Sequence, residues 1–562
     1  MFNIVEIYLD KENYQQKVIP SDYIENYLGG RGLGARLFVD YCDPTITPEN
    51  SPVFFLTGPM CLSKAPLTGR FHSVFKSPLT NTIFDSSCGG KAGYYLKSQG
   101  IDSIVLLGKA NSNKVIYISD GKVCFENLSL RGIEVSRREK TLKEKYGDDT
   151  SIILIGPSAE NGVLFANSSC DRRFFGRGGL GYLLAQKGVT AIVVKMSKKD
   201  EKISDENKFE FVKNEIKKWI HGNPITSKGL PDFGTSVLMN LINELSILPH
   251  KNFKENHFDN ADLISGETLK KYVKKRRACL SCPVACGRVT EKGEGPEFET
   301  LWALGANLGL SSIELLMELN ELCYEYGVDT ISLGGSIACY IEAKNLNFGD
   351  EKTVYSLIEK TLNAEGEGKL ISKGSLRLAK ELKKPELSMT VKGLELPAYH
   401  PKGIYGMSLA YGTSNRGACH LRAYMVAVEV LGIPKLQNRF IKKGKSGLVI
   451  YLQNSHSSAD SSIFCRFLSL AVGDDYLARL ISAYTGLNLS TEDYLKIGER
   501  IYNLERYINC QIGFGRKDDL LPERLMFDGY EDMLEEYYRG RGWDSNGIPR
   551  KEKLEELKIE CL

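Results

Sequence analysis

Short apolar runs, punctuated by glycine and polar turn residues, dominate the first two hundred residues. The stretches SIVLLG at 103–108, VIYIS at 115–119, SIILIG at 151–156 and TAIVVK at 190–195 are bounded by turn residues and rich in β-branched side chains, which predicts strands. MFNIVEIY at 1–8 reads as a strand as well. Helical patterning is sparser in this part, so residues 1–205 are expected to form a strand-rich α+β domain. The charged run MSKKDEKISDEN at 196–207 predicts a linker. Beyond it the apolar period becomes 3.6, predicting helices over 205–222, 235–246, 312–326, 335–345, 353–364 and 371–382. The pattern stays helical from 405 onward, most clearly at 475–485, 491–509 and 551–558. The expected class is α+β, with one strand-rich domain (1–205) followed by two mainly helical ones (206–404 and 405–562).

Composition narrows the function classes. The 562 residues are 42% hydrophobic and 25% charged, ordinary for a globular protein, and a formal net charge of +3 with interspersed signs gives no nucleic-acid or membrane signature. No apolar run approaches the length of a membrane span, and the N-terminus lacks the segments of a signal peptide, so a cytoplasmic protein is expected. Fourteen cysteines are too few for a disulfide scaffold and suit a reducing compartment.

Three of them crowd into CLSCPVAC at 279–286. Zinc sites commonly use two separate cysteine pairs, whereas iron–sulfur clusters often take three cysteines from one tight loop and a fourth from far away. Cys279, Cys282 and Cys286 therefore predict an iron–sulfur cluster, with zinc as the alternative, and Cys465 in DSSIFCR at 460–466 is the expected fourth ligand. Three glycine-rich stretches, GGRGLG at 29–34, DSSCGGK at 85–91 after PLTGR at 66–70, and RRFFGRGGLG at 172–181, combine arginines with backbone that can approach an anion. Singly each reads as a turn; together they suggest a site for a phosphate-bearing ligand, and no Walker sequence points to a nucleoside triphosphate. Glu297 and Glu299, beside Phe298 and Trp302, are either a desolvated acid/base pair or a helix N-terminus. His420 is a proton-shuttle candidate.

These motifs, in this order, resemble the aldehyde:ferredoxin oxidoreductases along essentially the whole chain, from GGRGLGARLF at 29–38 and SPLTNTIFDSSCGGKAG at 77–93 through RFFGRGGLGYLLAQKG at 173–188 and GPEFETLWALG at 295–305 to GFGRKDDLLPERL at 513–525. The resemblance implies tungsten or molybdenum on two pyranopterin dithiolenes, with magnesium bridging the pterin phosphates, beside one [4Fe–4S] cluster on Cys279, Cys282, Cys286 and Cys465. The strand-rich domain would be the cofactor-binding base. Arg70, Ser87, Gly89, Gly90, Arg177 and Gly178 match pterin-contacting regions. The family's two D-x-x-G-L motifs fall on Asp329–Leu333 and on Asp460 to Phe464, each keeping the aspartate and losing the glycine. Asparagine is common in the family at Ser87; a main-chain contact there tolerates serine, whereas a side-chain contact breaks the magnesium bridge. Glu297 or Glu299, with His420, matches the acid/base neighbourhood of the metal.

The implied reaction interconverts an aldehyde and its carboxylate, with electrons passed to ferredoxin, in a homodimer. Two rivals stand beside it. The family also includes the active-site subunit of an aryl-CoA reductase complex, and a metal-binding protein could keep the fold without the chemistry.

Overall fold

The computed structural model describes residues 2–197 and 202–560. Met1, residues 198–201 of the expected linker, and Cys561 lie outside the described residues.

The predicted strands build two six-stranded sheets. In the first, the spatial order is Asn13–Ile19, Phe2–Tyr8, Ser103–Leu107, Val53–Leu56, Phe71–Lys76, Ile83–Cys88. In the second it is Arg173–Phe175, Ser168–Cys170, Thr150–Ile155, Val189–Lys195, Lys114–Ser119, Lys122–Asn127. Alternation along each strand decides the layering, because successive side chains leave opposite faces. Val5, Ile7, Phe55, Ile104 and Leu106 of the first sheet share one core with Ile116, Ile118, Ile153, Ile155, Ile192 and Val194 of the second. Their sequence neighbours point outward. Ile4, Phe54, Leu56, Val74 and Val105 meet the helices Gly30–Tyr41 and Thr491–Gln511, while Val115, Ile152, Leu154 and Val193 pack with Val135 and Leu142 of the helix Val135–Tyr146. The base is thus two sheets face to face, with helices outside both.

The helical expectations correspond to Glu206–Gly222, Leu238–Glu244, Ile313–Tyr326, Glu351–Leu362, Asp474–Thr485, Thr491–Gln511 and Lys551–Glu556. Two boundaries differ for physical reasons. The helix expected at 335–345 is Thr330–Ala343, because the Asp329 side chain accepts from Ile331 and Ser332 N–H and caps it there. The helix expected at 371–382 is cut by Gly374 at φ +86° into Gly368–Ile371 and Ser375–Glu381. The visible end of the expected linker is fixed, since the N–H groups of Ser204 and Asp205 donate to the carbonyls of Tyr484 and Ala483.

A large helix, Lys445–Ser461, falls in the stretch expected to be helical, but its own pattern does not single it out. Its C-terminal half is buried but rich in serine: Ser457 donates to the Gln453 carbonyl and Ser461 to that of Ser457, both at 2.7 Å, while Ser455 and Ser458 donate to Asp474 and to the Tyr494 carbonyl on neighbouring helices. Among the described residues no single helix is long and apolar enough to cross a membrane.

The two helical regions are locked together by a buried ion cluster. Asp519, from the GRKDDLLPER motif, accepts from Lys392 Nζ at 2.6 Å, from Arg506 Nη1 at 2.9 Å and from Tyr538 O–H at 2.5 Å. Lys392 and Arg506 are buried with it. Deleting one partner of a buried pair leaves charge without compensation, which costs about 3–5 kcal/mol. Asp519→Ala is therefore expected to lower the thermal unfolding midpoint, and Asp519→Asn to lower it less; midpoints equal to wild type would contradict this account of the motif.

Candidate active site

The loop after the first sheet's strand Val53–Leu56 ties the cysteine segments together. The Cys465 N–H donates to the Leu67 carbonyl at 2.8 Å, and the Leu67 N–H donates to the Ser281 carbonyl at 3.3 Å. Cys279, Cys282, Cys286 and Cys465 consequently line one cavity of about 420 Å³, shared with Arg70, Arg173, Glu297, Glu299, Tyr399, His420 and Tyr424. Among the described residues no three His, Cys, Asp or Glu side chains are placed to clamp a single metal ion. The four thiols rim a space instead. Burial raises the pKa of Cys465 and Cys286, and pushes that of Cys282 up to about 11.

The backbone around this rim is tailored for closeness. A Cβ on Gly89 would stand 2.8 Å from Cys279 Sγ, and one on Gly69 would stand 2.5 Å from the Leu280 carbonyl oxygen. Arg70 spans the gap between rim and sheet, donating from Nε to Ser87 Oγ (3.1 Å) and from Nη2 to the Ser87 carbonyl (3.4 Å). Burial works against its charge, yet the sulfurs of Cys465 and Cys279 raise its pKa. Gly90 and Gly178 are buried or half-buried against Cys170 and the Phe84 ring respectively, so close packing already accounts for both.

Behind the cavity lies a network that joins the sheet to both helical regions. Arg31 holds Glu505 in a two-pronged pair (Nε and Nη2, each 2.6 Å) and reaches Asp460 at 3.4 Å. Arg422 bridges Asp85 (3.0 Å) and Asp460 (3.2 Å), and Arg466 takes the other oxygen of Asp460 at 2.6 Å. Arg416 donates to the Asp85 carbonyl. These cations hold Asp85 well below the usual carboxylate range and Asp460 at about 2, despite burial that opposes the charge. The network has donors to spare: Arg416 Nε, Arg422 Nε, and Arg466 Nε and Nη1 are buried and have no partner. Unfilled cationic donors beside four rimming thiols fit an anionic, phosphate-bearing group and an iron–sulfur cluster.

Arg177 and Asp329 form a separate arrangement. Arg177 donates to Asp329 (3.0 Å) and to the carbonyls of Ala418 (3.0 Å) and Glu395 (2.9 Å). In this first aspartate motif Ser332 replaces the glycine without difficulty, its hydroxyl donating to Asp329 at 2.7 Å, and Leu333 is fully buried. The second motif is different. Ile463, in the glycine position, has φ +68°, a left-handed backbone that a β-branched residue adopts only at a cost of about 1–3 kcal/mol. Its side chain fills the space beside Gly58, where a Cβ would come within 2.6 Å of Ile463 Cγ2.

The two glutamates part company. Glu297 precedes the short helix Phe298–Thr300, accepts from the Thr235 hydroxyl, and lies on the Arg173 and Cys286 side. Glu299 is mostly buried next to His420, with Oε1 at 3.6 Å from Nδ1 and neither atom hydrogen-bonded. Burial pushes the Glu299 carboxyl up to about 8. Burial, and then the charges of Arg177, Arg416 and Arg422, push His420 down to about 3. The contact is therefore a neutral acid facing a neutral imidazole at pH 7, and no salt bridge. A raised carboxyl pKa means the folded state holds this proton between pH 4.5 and about 8, so the group's effect is to lower stability as pH rises through that window.

Arg31, Arg416, Arg422, Arg466, Asp85 and Tyr399 were absent from the sequence-derived candidates. Arg31, Asp85 and Arg466 lie inside motifs quoted above, and Arg416 and Arg422 flank His420; nothing in the sequence distinguished these charged residues from surface charges. Replacing Gly89 is expected to test the rim directly. Gly89→Ala should purify folded, with unchanged circular dichroism but reduced iron per chain; iron equal to wild type would show that Cys279 has room to move.

The chain matches the family model for the aldehyde ferredoxin oxidoreductase N-terminal domain over residues 4–196, and that for domains 2 and 3 over 211–559. It is 39% identical to the tungsten-containing aldehyde ferredoxin oxidoreductase of Pyrococcus furiosus, over 95% of each chain. It is 37% identical to that of Pyrococcus abyssi, over 99% of this chain and 98% of the relative. A solved structure, the active site complex BamBC of benzoyl coenzyme A reductase with a dienoyl-CoA, shares the fold with a TM-score of 0.87 at 20% identity, over 99% of this chain and 96% of that one. The chain belongs to the aldehyde ferredoxin oxidoreductase family and is an oxidoreductase.

Proposed function

We propose that this member of the family is a tungsten- (or molybdenum-) pterin enzyme interconverting an aldehyde and its carboxylic acid, with a [4Fe–4S] cluster on Cys279, Cys282, Cys286 and Cys465 passing electrons to ferredoxin. The observation that carries the reading is the neutral Glu299–His420 pair opening into the cavity that the four cysteines rim. When bound, the metal–pterin group supplies two-electron redox chemistry and the cluster divides the electrons into single steps. The balance is one aldehyde and one water giving one acid, two electrons and two protons.

What the chain's own residues contribute follows from their protonation. Glu299 keeps its proton to about pH 8, so its O–H is a hydrogen-bond donor for an aldehyde oxygen. His420, neutral down to about pH 3, presents an uncharged ring that can accept a hydrogen bond from water and orient it, while its lowered basicity disfavours taking the proton outright. Tyr399 and Tyr424, with hydroxyls 3.3 Å apart, and Phe298, Leu421 and Leu431 line the cavity and keep bulk water from the pair. The spare donors of Arg416, Arg422 and Arg466 would hold pterin phosphates, and Arg70 would lie between cluster and pterin. Magnesium between the phosphates and a homodimeric assembly are part of the same proposal.

Anaerobically purified protein should contain about one W or Mo and about four Fe per chain by mass spectrometry. Zinc alone, with those metals and the pterin pathway supplied, would sink the redox reading. Copurifying flavin or iron–sulfur subunits with no aldehyde oxidation would favour the aryl-CoA reductase alternative. Glu299→Gln, at unchanged metal content, should cut kcat for aldehyde oxidation by about 10²–10⁴. Wild-type kcat should fall above about pH 8 as Glu299 loses its proton, and the variant, which cannot titrate, should lack that limb. An unaltered alkaline limb in the variant would assign it to another group.

A further inference from the structure

The strand that leads into the cysteine loop, Val273–Arg277, is the edge of a three-stranded sheet and pairs only with Gly287–Thr290. It reads VKKRR, and with Lys270 and Lys271 before it six cations fall within eight residues, with no carboxylate among them. Residues 266–294 hold eight Lys and Arg against three Glu, a surplus larger than the +3 of the whole chain.

Some of this charge is answered locally. Arg276 and Lys270 share Asp232 (2.6 and 3.6 Å), Arg277 meets Glu294 (2.8 Å), and Lys274 is 3.7 Å from Glu291. Lys271 and Lys275 are exposed, and among the described residues no carboxylate pairs with either. Protection of a sheet edge from other chains accounts for a lysine or two, and the bulge between Val273 and Lys275 already twists this edge. With four of the six cations met by Asp232, Glu291 and Glu294, Lys271 and Lys275 stay open to solvent, and residues 266–294 keep five more Lys and Arg than Glu, a local positive field that attracts a negatively charged partner.

Their position says what that is. The two strands of the hairpin are joined by the loop carrying Cys279, Cys282 and Cys286. Ala278 and Pro283 on that loop are exposed, and the three cysteines are only half-buried. Positive charge therefore flanks the loop that carries three half-buried thiols, on which Ala278 and Pro283 are exposed. That combination suits a transient, electrostatically steered partner that must bring its own redox centre close and then leave.

We propose that residues 270–278 and Pro283 are the docking surface for an acidic electron-carrier protein of the ferredoxin type. This rests on the redox reading above. Each aldehyde oxidised releases two electrons, so two one-electron transfers across this face, each reducing one carrier cluster, balance a turnover.

The test uses holoenzyme with Lys271→Glu and Lys275→Glu combined, and as a control Lys352→Glu with Lys369→Glu, an equal charge change at exposed sites elsewhere. Binding of an acidic two-cluster ferredoxin is measured by calorimetry at low and high salt, beside aldehyde oxidation with ferredoxin and with a small redox dye. The docking variant should bind about ten-fold or more weaker at low salt, lose kcat/KM for ferredoxin to match, and show a flatter salt dependence. Its dye-linked rate and iron content should equal wild type. Ferredoxin binding unchanged in the docking variant, or weakened equally in the control, overturns the proposal. So does a wild type that does not bind ferredoxin; dye-linked oxidation in that sample would leave the redox reading intact, whereas its absence together with absence of iron would remove that reading as well.

Discussion

The buried network of Arg31, Arg416, Arg422 and Arg466 with Asp85, Asp460 and Glu505 is the constraint on which the rest of the molecule depends. Taking so many charges out of water is expensive, and ion pairs in such places rarely improve stability over an apolar core. What they do here is fix geometry. Asp85 comes from a strand of the first sheet, Arg31 from the helix packed on it, Asp460 from the end of the serine-rich helix, and Arg422 from the loop that carries His420. One wrong register in any of these would leave a charge unpaired in the interior. The unequal count of donors and acceptors is then the informative part: a network built only for rigidity would close on itself, whereas this one keeps cationic donors facing inward.

The acid/base pair depends on the same network at one remove. Burial first, then the charge of Arg177, and after it those of Arg416 and Arg422 in the loop carrying His420, suppress protonation of its imidazole. Glu299 keeps its proton because burial outweighs the Ala398 N–H and the charge of Arg177, which both favour the carboxylate. A charged glutamate facing a charged histidine would be the ordinary outcome at 3.6 Å in water. Here the surroundings neutralise both, so the site holds a protonated carboxyl beside an uncharged imidazole.

Sequence patterning read the base well, because alternate residues of each strand face different cores and leave a period-two record. It read the amphipathic helices for the same reason at a different period. It gave the chain from 405 onward as helical without singling out Lys445–Ser461, where buried serines bond their hydroxyls inside the helix or to Asp474 and the Tyr494 carbonyl, so that no apolar stripe exists to be seen. It also treated GGRGLG at 29–34 as a weak anion-binding loop. The structure gives those glycines a steric task, since a Cβ on Gly34 would stand 2.3 Å from Val74 Cγ2, and lets Arg31 reach the interior from the helix they open. Among the site residues, cysteine spacing was distinctive, but arginine is common on surfaces. Nothing short of coordinates reveals that four of them point into one buried space.

Ile463 and Gly58 together illustrate how such a site can change its composition. The two positions share a single side-chain volume, and at present position 463 occupies it while paying for an unfavourable backbone angle. A glycine at 463 would relax that angle and release the volume to position 58. The two residues therefore form a linked pair whose substitutions are non-additive. A change at 58 that is harmful in this chain becomes tolerable in a relative with glycine at 463, and the order in which the two changes are acquired is constrained. Comparing substitution tolerance between family members at either position alone would mislead, because the unit on which selection acts is the shared volume.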